Sequence, residues 1–143
     1  MTVYEVLEFL CTVKFNGKYY EEIDLYLAKY DLYNKRNIKI TKLSLGMKRK
    51  LSIIMAIIGN PEILILDEPT NGVDTTGIIQ LKQDLINRQH QNKIIIVTTH
   101  VLEWAEKICT RTIFLKDGKI AGDYLTDNLK KSLEELYEDI YRF

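Results

Sequence analysis

Residues 43–74, LSLGMKRKLSIIMAIIGNPEILILDEPTNGVD, constrain the fold of this 143-residue chain more than any other stretch. A helix is predicted from Ser44 to Ile58, because serine is a typical N-cap and the residues after it are basic and then apolar. Gly-Asn-Pro at 59–61 ends this helix. The apolar run from Ile63 to Leu66 then predicts a short, buried parallel strand, which indicates an α/β fold.

Two carboxylates, Asp67 and Glu68, close this predicted strand. In α/β folds, binding and chemistry are placed at the carboxyl ends of the strands. An apolar strand that ends in Asp-Glu is typical of a Walker B motif, in which the aspartate holds Mg²⁺ on bound phosphates and the glutamate can orient an attacking water. Taken alone, ILILDE fits an ordinary core strand with acidic turn residues equally well.

The segments on either side of the strand favour the first interpretation. Leu43-Ser44-Leu45-Gly46-Met47 opens the helix before it, and Pro69-Thr70-Asn71-Gly72-Val73-Asp74 follows the two acids. Together these segments resemble the signature, Walker B and D-loop of an ATP-binding-cassette (ABC) ATPase domain. The residues in these motifs are similar to those of bacterial drug- and bacteriocin-export ATPases, which work with separate membrane permeases. The resemblance implies an α/β fold with a P-loop NTPase-like parallel sheet and a helical subdomain.

The resemblance also implies a role for each motif residue. Asp67 would hold Mg²⁺, Glu68 would act on water, and Asp74 would link two protomers. Ser44 and Gly46 would touch the γ-phosphate of ATP held by the opposite protomer of a head-to-tail dimer. This sequence has leucine at 45 where the family usually has glycine, and methionine at 47 where it usually has glutamine.

A second apolar run, Ile94 to Val97, precedes Thr98-Thr99-His100 and predicts the next buried strand. A lone histidine is more often a surface or core residue than a catalytic one. His100 follows the predicted strand that comes next after Walker B. In the family that His100 resembles, the switch histidine occupies this position. The resemblance therefore implies that His100 hydrogen-bonds the γ-phosphate and the water held by Glu68.

Four further helices and a hairpin are predicted from periodicity and turn residues. The helices are Thr2 to Leu10, Tyr19 to Leu32, Thr75 to Gln89 and Ser132 to Tyr141, and the hairpin is RTIFLKDGKIAGD around Asp117-Gly118. The expected organisation is a helical subdomain over 1–42, the signature helix and ATPase core over 43–126, and a closing helix over 127–143. Three basic residues lie near the N-terminus of the predicted signature helix, where the helix dipole is positive: Lys48, Arg49 and Lys50. Their presence there would be explained by an anion that binds at this helix end or by a solvent-exposed helix face.

Composition places limits on location and partners. Lysine plus arginine equals aspartate plus glutamate at 20 each, so no overall charge attracts nucleic acid. Cys11 and Cys109 match no metal-ligand spacing and fit a reducing compartment. No segment reaches the ~20 apolar residues of a membrane span. We expect a cytoplasmic protein held at the inner membrane face through its permease.

One expected motif, the phosphate-binding GxxxxGK[ST] run, does not occur in this sequence. Gly17-Lys18 is followed by Tyr19 and has no partner glycine upstream. The chain is therefore expected to lack the Walker A half and to leave apolar strand edges unpaired. Either a separate polypeptide supplies that half, or the chain is a truncated reading frame with little activity.

Two other functions fit the same residues. The chain could be a non-catalytic regulator that presents its signature helix to a complete cassette. It could also belong to a chromosome-maintenance ATPase, but those proteins have long coiled coils and work on nucleic acid. This sequence has no sustained heptad pattern, and its net charge is +0.

Overall fold

The computed structural model describes residues 1–142, which divide into one unit over Met1–Thr98 and a second from Thr99 onward. The helices and strands of the first unit are α1 Val3–Phe15, α2 Tyr20–Lys29, α3 Leu45–Ile57, β1 Ile63–Asp67, α4 Thr75–His90 and β2 Ile94–Thr98. Those of the second are α5 Leu102–Ile108, β3 Arg111–Lys116, β4 Lys119–Leu125 and α6 Leu133–Tyr141. The division predicted from motifs, 1–42, 43–126 and 127–143, stays a prediction.

The N-terminal helices begin and end where the sequence has capping and breaking residues. Thr2 and Glu5 form a capping box at the start of α1. The helix ends at Asn16, which is left-handed with φ 53°. It is longer than the predicted Thr2 to Leu10 segment, because no helix-breaking residue occurs before Asn16-Gly17. Conversely, α2 is shorter at both ends than the predicted Tyr19 to Leu32 segment.

The core of the first unit is mostly apolar, and it includes a polar cluster between α2 and α4. The Tyr30 hydroxyl donates to Asp84 Oδ2 at 2.9 Å. Arg88 donates to the Ile57 carbonyl at 2.6 Å and to Asn60 Oδ1 at 2.8 Å, which satisfies the C-terminal end of α3. Burial, and then the Asp84 charge, raise the pKa of Tyr30 well above its ordinary value, so its hydroxyl stays a donor.

The parallel pair β1–β2 is in register from Ile63 opposite Ile94 to Asp67 opposite Thr98. One face of β1 is buried through Leu64 and Leu66. The other face is open, since Ile65 of β1 is 67% exposed and Ile96 of β2 is 50% exposed. The expectation of two buried strands was therefore wrong for this face of the pair. Four apolar residues share the uncovered face: Ile63, Ile65, Ile94 and Ile96.

The second unit is an antiparallel hairpin with two helices. β3 and β4 are joined at Asp117-Gly118, as predicted, with an irregularity in the pairing between Phe114 and Leu115. Its core consists of Ala105, Phe114 and Leu133, from α5, β3 and α6. Among residues 1–142, no helix has both the length and the apolar character that crossing a membrane requires.

Candidate functional site

The tips of the two parallel strands are joined by side-chain and backbone hydrogen bonds. Asp67 ends β1 and Thr98 ends β2, and the two residues are register partners. The Thr98 hydroxyl donates to Asp67 Oδ1. The Glu68 amide donates to the Thr98 carbonyl at 3.0 Å and lies 3.3 Å from the Thr98 hydroxyl oxygen. The predicted Walker B acids are therefore held by a residue of the neighbouring strand.

Glu68 turns the chain sharply away from β1. Its φ is 44°, in the left-handed region that non-glycine residues seldom occupy. The turn is closed by two backbone bonds, from the Asn71 amide to the Glu68 carbonyl at 3.2 Å and from the Val73 amide to the Thr70 carbonyl at 3.2 Å. Such uncommon backbone geometry clusters at functional sites, where the surrounding structure enforces it.

The donor set at the strand tips fits magnesium held mostly by phosphate. Asp67 offers an exposed carboxylate at the end of β1. Within residues 1–142, no group of three or more His, Cys, Asp and Glu side chains is placed to hold a metal ion. Mg²⁺ is usually bound by one or two carboxylates together with waters and substrate phosphates, and not by an all-protein cage. Asp67 is the residue that would contribute to such a site.

The helix α3 begins at Ser44, whose hydroxyl oxygen accepts the Met47 amide at 3.2 Å. This confirms the predicted N-cap. The Ser44 cap therefore already engages the Met47 amide. Gly46 lies against the loop after β1, since a Cβ added at Gly46 would be 2.8 Å from the Gly72 carbonyl oxygen. The glycine therefore lets the helix and this loop approach closely.

Lys50 connects α3 to α4. Its ammonium nitrogen lies 2.7 Å from Asp74 Oδ2, and its side chain is 6% exposed, whereas that of Asp74 is 60% exposed. Asp74 Oδ1 also caps α4 by accepting the Gly77 amide at 2.9 Å. The hydrogen bond from Lys50, and then that from Gly77, lower the pKa of Asp74. The interpretation of Lys50 as anion-seeking or solvated was therefore wrong, because the residue is buried and paired.

His100 belongs to the second unit and follows the last residue of β2 by two positions. It is exposed. In the same segment, the Thr99 hydroxyl oxygen accepts the Val101 amide at 3.1 Å just before α5. The role of His100 toward a phosphate stays a prediction. The structure does bring Asp67 and Glu68 together, since both hydrogen-bond to Thr98. It also places α3 against the loop that contains Asp74.

Comparisons with known proteins agree with these motifs. The family model described as ABC transporter matches residues 1–71. A solved structure of an ATP-binding subunit of an ABC transporter superposes on 98% of this chain with a TM-score of 0.90 at 25% identity. The chain belongs to the ABC transporter ATP-binding family. The expected α/β fold, P-loop NTPase-like with a parallel sheet, is thereby confirmed.

Relatives and solved structures of this ABC domain are longer than the chain. An uncharacterised ABC transporter ATP-binding protein of Methanocaldococcus jannaschii is 38% identical over 69% of the chain and 38% of its own length. The lantibiotic transport ATP-binding protein of Streptococcus pyogenes is 34% identical over 79% of the chain and 49% of its own length. A dimeric, post-hydrolysis ATP-binding cassette bound to ADP and Pi has a TM-score of 0.77 at 27% identity. The chain covers 62% and 57% of the two solved structures.

Sequence reasoning about this ABC domain missed Thr98 and Lys50. A signal existed for Thr98, because four apolar residues precede Asp67 in β1 and four precede Thr98 in β2. Parallel pairing of equal runs brings their terminal polar residues together. The pairing of Lys50 with Asp74 spans 24 positions and has no local sequence signal.

Proposed function

We propose that this chain supplies the signature, Walker B, D-loop and switch-histidine part of an ABC transporter ATPase. The assembled enzyme would couple MgATP hydrolysis to export through a membrane permease. The observation that supports this proposal best is the hydrogen-bonded strand tip, where Asp67 and Glu68 are both held by Thr98.

We assign a distinct proposed role to each of three residues. Asp67 holds Mg²⁺, which when bound neutralises charge on the β- and γ-phosphates. Glu68 orients the attacking water and accepts its proton, as a carboxylate close to the reacting group can. His100 donates a hydrogen bond to the γ-phosphate.

The signature helix would act on a second protomer. Ser44 and Gly46 lie at the N-terminus of α3, where the helix dipole favours an anion. We assign them to the γ-phosphate of ATP bound by the partner in a head-to-tail dimer, with Asp74 linking the protomers. The dimeric ADP-bound cassette to which this chain is similar supports that arrangement.

The phosphate cradle would come from a separate polypeptide with a Walker A motif. The uncovered face of β1–β2 supports this, since Ile63, Ile65, Ile94 and Ile96 form an apolar surface that runs directly to Asp67 and Thr98. Burying an isoleucine side chain contributes about 1.5–3 kcal/mol, so a chain that covers this face gains binding energy from it. The cradle would then lie beside the metal-binding carboxylate.

Export is the proposed direction because the relatives include Nod factor export ATP-binding proteins. The permease would be a separate membrane protein, which would hold this ATPase at the cytoplasmic face of the membrane. Nucleic acid is not a proposed partner, because the formal net charge is +0.

The proposal is tested by co-purifying this chain with a GxxxxGK[ST]-containing polypeptide encoded beside it and measuring ATP binding and hydrolysis. Glu68→Gln should reduce turnover by about 10²–10⁴-fold, the usual contribution of a general base, while ATP binding persists. Glu106→Gln is the matched control, because Glu106 is an exposed acid on α5. Unchanged turnover in Glu68→Gln would remove Glu68 from this role. An assembly that cannot bind ATP would favour the non-catalytic regulator that presents α3 to a complete cassette.

A further inference from the structure

We infer that Thr98 is a positioning residue for the magnesium site: its hydroxyl holds the Asp67 carboxylate in the orientation that the metal requires. The inference rests on the proposed function and deepens it. Thr98 is not among the residues to which the sequence assigned a role, and it lies two positions before His100.

The hydroxyl of Thr98 is engaged on both sides by the Walker B acids. Its proton is donated to Asp67 Oδ1, and its oxygen lies 3.3 Å from the Glu68 amide. The Thr98 carbonyl accepts the same Glu68 amide at 3.0 Å. One residue on β2 therefore fixes both the side chain of Asp67 and the backbone of Glu68.

This hydrogen bond leaves a defined oxygen for the metal. A carboxylate has two oxygens, and donation from Thr98 engages Oδ1 and restricts rotation of the group. Oδ2 is the oxygen that this hydrogen bond does not use, and it is the atom that would bind the cation. Partners that hydrogen-bond to metal-binding carboxylates orient them, and loss of such a partner typically weakens metal binding about 10–100-fold.

A purely structural role predicts a different result for the Thr98→Val substitution. Valine has nearly the shape of threonine, is β-branched and suits a strand at least as well. It also keeps the backbone carbonyl that accepts the Glu68 amide. If threonine served only β2, the substitution would have no effect on metal binding. Thr98→Ser keeps the hydroxyl and should behave like the wild type.

The first measurement uses the whole chain and needs neither nucleotide nor a second polypeptide. Mn²⁺, which prefers carboxylate oxygens as Mg²⁺ does, is titrated while the paramagnetic broadening of the Asp67 and Glu68 amide resonances is recorded. Thr98→Val should require about tenfold more Mn²⁺ for the same broadening. Thr98→Ser should match the wild type. Thr99→Val is the matched control, because the Thr99 hydroxyl oxygen accepts the Val101 amide.

Three results would overturn the inference. They are absence of broadening at Asp67 in the wild type, equal Mn²⁺ dependence in Thr98→Val and the wild type, and equal weakening by Thr99→Val. The second measurement determines the Mg²⁺ concentration needed for ATP binding by the assembly, which Thr98→Val should raise. If the wild-type assembly binds no ATP, the proposed function fails, while the Mn²⁺ titration still decides the role of Thr98.

Discussion

At the scale of single residues, Asp74 serves two neighbours at once. One carboxylate oxygen accepts from Lys50 and the other accepts the Gly77 amide at the start of α4. Lys50 has almost no contact with solvent, whereas Asp74 is largely exposed. Removal of the acid therefore leaves a buried ammonium group without its partner, while removal of the lysine leaves a carboxylate that water can solvate. The two substitutions should differ in cost.

We predict that Asp74→Asn lowers the free energy of unfolding of the first unit by about 1–3 kcal/mol, the cost of leaving a buried charged donor unsatisfied. Asparagine is a good N-cap, so the capping bond to Gly77 is retained and only the charge is lost. Lys50→Met keeps similar volume and should cost less. Urea titrations followed through amide resonances of α4 measure both within the first unit. A larger loss in Lys50→Met would contradict this view of the pair.

The same pair predicts a dependence on pH. The pKa of Asp74 is lowered in the folded chain, so its contribution is complete above the ordinary carboxyl pKa of about 3.9. It is lost as the pH falls through the lowered folded-state value. The difference in stability between wild type and Asp74→Asn should therefore be full at neutral pH and shrink below about pH 4. A difference that stays constant into that acid range would show that the charge of Asp74 does not stabilise the fold.

At the scale of elements, local sequence signals located the N-caps and the hairpin turn, but they predicted neither α5 nor the contacts between elements. Thr2 and Ser44 act as N-caps, as their side chains and positions predict. The Asp117-Gly118 turn likewise joins β3 and β4. The close approach of α3 to the loop after β1 was not predictable, because it depends on Gly46 meeting the carbonyl of Gly72 across the fold. Caps and turns are determined by neighbours in sequence, whereas such approaches are not.

We predict that Gly46→Ala destabilises the first unit although alanine is the better helix former. Its Cβ would be 2.8 Å from a backbone oxygen, so α3 or the loop must move. Overpacking typically costs about 1–3 kcal/mol, which exceeds the gain in helix propensity of up to about 1 kcal/mol. Ser52→Ala, at an exposed position of the same helix, is the control and should be neutral or slightly stabilising. An increase in the urea midpoint of Gly46→Ala would show that the contact can relax without cost.

At the scale of the whole molecule, the sequence predicted β1, β2 and the carboxylates at the end of β1, but not the open face of the sheet. The runs ILIL and IIIV are apolar at every position, so they have no alternation to indicate which side is covered. Leu64 is buried, whereas its neighbour Ile65 is 67% exposed. Which face of a strand is covered depends on the helices and strands that pack against the sheet. Those elements come from residues distant in sequence.

The open face yields a prediction that separates the isolated chain from its assembly. In the isolated chain, Leu64→Thr should lower the free energy of unfolding by about 2–5 kcal/mol, because it removes buried apolar volume. Ile65→Thr should cost far less, because it keeps a β-branched residue at an exposed site. In the assembly with the Walker A polypeptide, Ile65→Thr should weaken association, measured by light scattering during dilution. If Ile65→Thr destabilises the isolated chain as much as Leu64→Thr does, that face is already covered. If association is unchanged, the second polypeptide binds elsewhere.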